Sequence, residues 1–394
     1  MKTVGFLGTL FFCLWGASTA LAYPDFIGYG YRSCLTCHFN GNGNGPLNDY
    51  GRALFATEIT SRAVFPKKTT DDEIGDKSGF LGSTELPWWI RPGAKYRGIY
   101  VQRNPGGSSD KAVSKYITMQ ADLNMALLFD RAQKFIFVGS IGYVPVPQTM
   151  KNAPPSEMPS EWISREHYFR WQQSKNMFWY LGLTDRVFGI RHPNHTSFSR
   201  SRTEMSMNDQ SHGLIGQYVQ PKFEISVNAF AGNQSQDADL RQQGGSMMTE
   251  YEFFERKAFG ISLLGSKNKY TRKTMGALHA RIGLPDSKGD SLMFEIGQVQ
   301  NRAVEEALSH RNSTGTYTFT QGLFNVARGY NWAMNFETYK STPNDITTRW
   351  GGGLLAFPLP RTEFRLDVVN TRVLSTNAVK SDTWEVQTQL HLSL

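Results

Sequence analysis

The run "CLTCH", residues 34–38, sets two cysteines two residues apart and puts a histidine directly after the second. This is the attachment signature of c-type haem, in which Cys34 and Cys37 form thioethers to the two vinyl groups and His38 stands beneath the iron as proximal ligand. The short gap lets both sulfurs reach one porphyrin edge while the histidine turns under the ring. Other chemistries use the same residues: a thioredoxin-like redox pair, a simple disulfide, or half of a zinc site. The redox pair wants a βαβ context that the sequence lacks, and a zinc set needs a fourth ligand. No acid–base pair adjoins the motif, so a haem enzyme with an open coordination site, reducing peroxide or a nitrogen oxide, is the least supported reading.

The residues ahead of the motif set the compartment. Met1 and Lys2 give a basic start, Val4 to Ala17 an apolar run, and Ala20-Leu21-Ala22 a small-x-small cleavage pattern, so residues 1–22 read as a signal peptide and the mature chain begins at Tyr23. The apolar run is shorter than the roughly 20 residues of a spanning helix. Cys13 leaves with the signal, and Cys34 and Cys37 are the cysteines that remain.

What positions the motif is legible in the rest of the chain. Aromatics make up 13% of the residues, and the 40% hydrophobic fraction is dispersed rather than blocked, as in a membrane barrel and not a helical membrane protein. The formal charge of +8 is scattered among strands and turns, which does not suit nucleic-acid binding. From about Ile90 the chain breaks into segments of alternating apolar and polar residues. In "TWEVQTQLHLSL", Trp384, Val386, Leu390, Leu392 and Leu394 share one face, with Glu385, Gln387, Gln389, His391 and Ser393 on the other.

Segmentation on this rule predicts strands at 92–103, 115–129, 134–146, 164–173, 177–188, 211–220, 223–232, 244–255, 258–267, 274–284, 291–300, 316–327, 330–340, 346–358, 363–374 and 383–394. The expected fold is therefore all-β, a transmembrane antiparallel barrel of about 16 strands, within a range of 14 to 18. The connections alternate short and long, with 268–273 and 341–345 as short members of the long set. Tight turns belong to the periplasmic side, so both chain ends are expected there. Leu394 departs from the aromatic residue that usually ends such barrels. The organisation is thus 1–22 signal peptide, 23–87 haem-binding segment, periplasmic or plug-like, and 88–394 barrel.

Two stretches bear on the iron. Around the motif, "HFNGNGNGPLNDYG" turns repeatedly and cannot build a thick apolar shell, so the haem is expected to be exposed or else covered by the barrel mouth. A helical patch is expected over 47–62, opened by Leu47 or Asn48-Asp49. The longest connection, Gly189 to Gln210, is similar to the third loop of general porins, which folds inward. It carries Arg191, His192, His195, Arg200 and Arg202, an anion-attracting constriction if it lies in the pore, or a polar cover if it lies over the mouth. His192 and His195 are candidates for a distal iron ligand, in competition with His167, the methionines and a partner-supplied group. Arg32 and Arg52 flank the motif as candidates for the haem propionates.

"YPDFIGYGYRSCLTCHFNGNGNGPLNDYGRAL" resembles the leader of outer-membrane proteins from anaerobic, electron-exchanging bacteria, in which one c-type haem motif precedes a porin-like barrel. The likeness covers about one tenth of the chain, and "FGIRHPNHTSF" adds a weaker one. It implies one covalent c-type haem, an outer-membrane location, and electron transfer with periplasmic or extracellular c-type cytochromes. The alternative is a porin whose haem segment is a plug, sensor or docking element. Membrane lipid is an expected partner on either reading, and a homo-oligomer a possible assembly.

Overall fold

Polar-in, apolar-out alternation builds the wall. The computed structural model describes residues 24–43, 45–82, 86–105, 112–143, 162–194, 196–305, 312–341, 345–375 and 381–393. The signal peptide, Tyr23, His195 and Leu394 lie outside the described residues. The strands are β1 Ile90–Pro105, β2 Val113–Leu128, β3 Phe135–Tyr143, β4 Trp162–Ile163, β5 His167–Gln172, β6 Met177–Thr184, β7 Ser211–Val219, β8 Phe223–Phe230, β9 Gln243–Phe254, β10 Lys257–Lys267, β11 Thr271–Gly283, β12 Ser291–Ala303, β13 Ser313–Ala327, β14 Tyr330–Ser341, β15 Ile346–Leu359, β16 Thr362–Leu374 and β17 Ser381–Ser393. Both β4 and β5 pair with β3 and form two pieces of one stave, so the barrel has sixteen staves. It closes where β1 meets β17, from Lys95 opposite Ser393 to Pro105 opposite Thr383.

In β10, Phe259, Ile261 and Leu263 are exposed outward while Ser262 and Leu264 are buried. In β12, Leu292, Phe294 and Ile296 face out and Glu295 faces in at 1% exposure. A soluble protein would bury the first set and solvate the second. The inverted pattern suits a wall between lipid and a filled lumen. Aromatic rings mark both rims. At the tight-turn end Phe135 stacks on Trp171 with centroids 6.4 Å apart, and at the loop end Trp350 meets Trp384 edge-on at 5.1 Å.

The predicted staves are all present, and the structure shortens one of them. The strand expected over 177–188 ends at Thr184. Asp185 pairs with Arg191 and accepts from Gln210 Nε2 at 2.9 Å, which turns the chain off the wall. Val187, Phe188 and Ile190 then pack against the lumen side of the wall instead of facing lipid.

Candidate functional site

The CxxCH stretch is one tight turn. Residues Cys34–Thr36 form a short 3₁₀ helix. The Cys37 N–H donates to the Cys34 carbonyl at 3.1 Å and the His38 N–H donates to the same oxygen at 2.9 Å, which places both sulfurs and the imidazole on consecutive corners of a single turn. His38 bridges back to Leu47, so the Gly/Asn run is the tip of a tight hairpin. Gly45 stands at φ +69°, a conformation glycine adopts without strain, and a side chain there would run into Glu166 of the wall.

The "LNDYG" that follows clamps this turn. Asn48 caps the helix Asp49–Leu54, accepting from the Gly51 N–H at 2.8 Å, and its Nδ2 donates to the Thr36 carbonyl at 2.9 Å. Gly51 packs so closely that a Cβ would lie 2.5 Å from the Cys37 carbonyl oxygen. Arg91 of β1 donates two hydrogen bonds to Asp49, both 2.7 Å, and so ties the helix to the wall. The helix expected over 47–62 is real but short, continued by one wide turn over Phe55–Ile59.

The stretch around the motif is largely buried, because the barrel supplies the shell that its own composition lacks. Cys37 is fully buried in a cluster with Phe26, Tyr31, Ile59, Leu323 and Phe357. Phe39 packs on Ile136, Val138, Tyr168 and Tyr180. Burial pushes the Cys34 thiol up to about 11 and the Cys37 thiol further still. A dithiol redox couple needs the opposite shift, so these surroundings do not suit it. Among the described residues no three His, Cys, Asp or Glu side chains converge on a metal-sized site, which leaves the zinc reading without ligands.

His38 opens on a cavity of about 220 Å³. Phe26, Leu47 and Phe55 give it an apolar side. Arg52, Lys95, Arg97, Arg165, Arg191, Arg200 and Arg361 outnumber Asp122, Glu166, Asp185 and Glu363 in its lining, so it favours anions. Arg361 is held down to about 10 by burial and then by Arg52, two guanidiniums close enough to compete. Cys34 faces a smaller cavity of about 40 Å³, and Pro24 and Arg191 belong to both linings. A histidine, an apolar side and neighbouring cations are features that a haem site uses, and the lining of this cavity has that chemistry, while Cys34 faces the smaller cavity and Cys37 is buried beside it.

Among the expected propionate partners, Arg52 lines the larger cavity, whereas Arg32 lines the smaller one with Cys34, donating to the Gln220 carbonyl at 2.6 Å and pairing with Glu250 and Glu252. The loop after β6 folds into the lumen. Its Ile190 N–H donates to Glu295 at 2.5 Å and its Phe198 N–H to Glu337 at 2.6 Å. His192 lies flat on Phe319, centroids 4.0 Å apart, with Nε2 hydrogen-bonded to Ser199 at 2.9 Å and Ser197 at 3.0 Å. Arg191 and Arg200 line the cavity, while Arg202 stacks over Tyr339. His167 lies elsewhere, its Nε2 3.2 Å from that of His212. Residues that the motif search missed are Lys95, Arg361, Glu363 and His391. Alternation had put His391 on the polar face of the last strand, and that face is the lumen.

No family model matches the chain, and no curated protein matches it. Solved structures do. The chain is similar to OprB of Pseudomonas putida, with a TM-score of 0.58 at 10% identity over 82% of this chain and 98% of that one. It is also similar to an anion-selective porin from Comamonas acidovorans, at 0.56 and 9% over 77% and 99%. The outer-membrane channel DcaP of Acinetobacter baumannii gives 0.54 at 10% over 77% and 97%. At these identities the likeness is one of fold, and the chain is a closed sixteen-stave barrel of porin type.

Proposed function

We propose that this chain is an outer-membrane barrel carrying one c-type haem in its lumen, and that it passes single electrons as one member of a relay. The observation that carries the reading is the position of the CxxCH turn: inside the barrel, with His38 opening on a cavity that has an apolar side and an excess of cations. Bound haem supplies a reversible one-electron couple. Cys34 and Cys37 would hold it by thioethers, His38 would ligate the iron, and Arg52 with Arg361 would neutralise propionates. The wall residues that bury Cys37 and Phe39 shield the attachment side from water. The apolar band of such a barrel is about 25 Å tall, too thick for one haem to serve alone, so donor and acceptor are partner proteins carrying their own redox groups, c-type cytochromes being the expected class. The segment meets the tight-turn end of the barrel, where Arg256, Arg328 and Arg361 each donate to its carbonyls, and in this reading that end faces the periplasm.

The first test is a reduced-minus-oxidised spectrum of the detergent-purified chain. Sharp c-type bands, retained by the denatured protein because the attachment is covalent, are expected; a colourless protein expressed with haem-maturation machinery overturns the reading. Proteoliposomes with an internal dye acceptor and external reductant then test the relay: dye reduced only when a c-type cytochrome is added supports it.

The porin reading is favoured by a specific feature, the inward loop with Arg191 and Arg200, and one of the similar structures is an anion-selective porin. Planar-bilayer recordings separate the two: a sustained anion-selective current through the intact chain supports the channel, and a closed barrel supports the plugged carrier.

A further inference from the structure

On β17 the His391 ring stands at the edge of the cavity onto which His38 opens. Its Nδ1 lies 3.1 Å from Glu363 Oε2 on β16. Arg97 Nη2 approaches the same nitrogen at 3.4 Å, a long contact that the nearer carboxylate outweighs. Nδ1 therefore carries the proton and donates it to Glu363, which leaves Nε2 as the lone-pair nitrogen. Among the described residues nothing hydrogen-bonds to that buried Nε2. A buried polar atom in a native structure has a partner as a rule, so an orphan that belongs to a cavity lining points to a missing one. An imidazole whose Nδ1–H is held by a carboxylate is also the usual form of a metal-ligating histidine, oriented and made more basic by its anchor.

The register brings this ring near the haem turn. His38 bridges to Leu47, and two residues before Leu47 the Gly45 carbonyl accepts from Lys95 Nζ at 2.6 Å. Lys95 sits two residues from Arg97 on β1, and Arg97 is directly opposite His391 across the closing seam. The other candidates are less suited: the His192 Nε2 is taken by two serine hydroxyls, and Met207 offers a thioether with no anchor of the His391 kind.

We propose that His391 is the second axial ligand of the haem iron, with Glu363 as its positioning residue. This rests on the haem reading above and deepens it, for it makes the barrel wall supply one of the two protein ligands of the iron. The test uses the full-length, haem-loaded chain, read by electron paramagnetic resonance and near-infrared magnetic circular dichroism of the oxidised form. A low-spin bis-imidazole signature is expected. His391→Gly is expected to lose it and become high-spin, and added imidazole to restore it in the cavity left behind, which excludes misfolding as the cause. His192→Ala and Met207→Leu are expected to remain low-spin. Glu363→Gln is expected to stay low-spin with a raised reduction potential, since a less basic imidazole stabilises the ferric state less. Low-spin His391→Gly protein, a high-spin wild type, a methionine-type near-infrared band or an unchanged potential in Glu363→Gln overturns the assignment while leaving the haem in place. A chain with no covalent haem overturns both.

Discussion

The N-terminal segment and the loop 185–210 enter one lumen from opposite ends, and the wall grips the backbone of each. For the segment, wall cations donate to backbone carbonyls: Arg256 to Gly28 at 2.9 Å, Arg281 to Arg32 at 2.9 Å, Lys95 to Gly45 at 2.6 Å and Arg328 to Thr60 at 3.1 Å. For the loop, wall carboxylates accept from backbone amides, Glu295 from Ile190 and Glu337 from Phe198, while Arg349 donates to the Thr196 carbonyl at 3.2 Å. Charged hydrogen bonds of this kind contribute about 1.5–3 kcal/mol each. Neither set depends on the guest's side chains. The wall therefore fixes much of where each piece runs through its backbone, and side-chain ties such as Arg91 to Asp49 and Gln321 to Asp25 add to it.

The sharpest break between guest chemistry and guest placement is the double substitution Cys34→Ala, Cys37→Ala. Complete loss of covalent haem is expected with the segment still docked, seen as unchanged resistance to protease and unchanged heat-dependent migration on gels. A segment released by these changes would mean that the haem, and not the wall, holds it.

A smaller effect comes from Asp25, buried and bonded to Gln321 Nε2 at 2.7 Å. Burial raises its carboxyl from the ordinary 3.8 to about 6. The docked segment thus keeps a proton that the undocked one gives up between those values, so docking is strongest below about pH 4 and weakens as pH rises through 6, by up to about 3 kcal/mol. Hydrogen exchange of residues 24–31, corrected for intrinsic rates, should show this slope, and Asp25→Asn should flatten it.

The loop gives the reciprocal test. Glu337→Ala leaves the Phe198 N–H unsatisfied and is expected to cost loop docking about 1–3 kcal/mol, with a raised single-channel conductance and no change in segment protection. Coupled loss of both guests would show that they stabilise each other. The smallest effect is expected of Asn48→Ala, about 0.5–2 kcal/mol for the lost cap, confined to exchange at residues 49–52 and to the turn that Asn48 clamps.

Much of the wall was legible because alternation with period two is a local property. The β10 and β17 segments declare their faces residue by residue, and the tight turns fall between them. The strand predicted through Phe188 overran because Val187 and Phe188 are apolar, and apolar residues suit an inward cluster as well as a lipid face. The Gly/Asn run was read as too thin to bury a haem; what hides from the sequence is that glycines such as Gly45 let the chain press against Glu166, far along the sequence. Likewise the His391–Glu363 pair joins residues 28 apart through strand register, and no local motif marks it.

The seam between β1 and β17 also imposes an order on biosynthesis. The segment leads directly into β1, and once docked its Cys37 has no exposed surface. On the haem reading, an attachment enzyme has to finish at Cys37 while the segment is still outside, so maturation precedes the last zip of the wall. The barrel is then the final inspector of its own cofactor, since the chain that reaches the seam brings its haem with it or encloses an empty lumen.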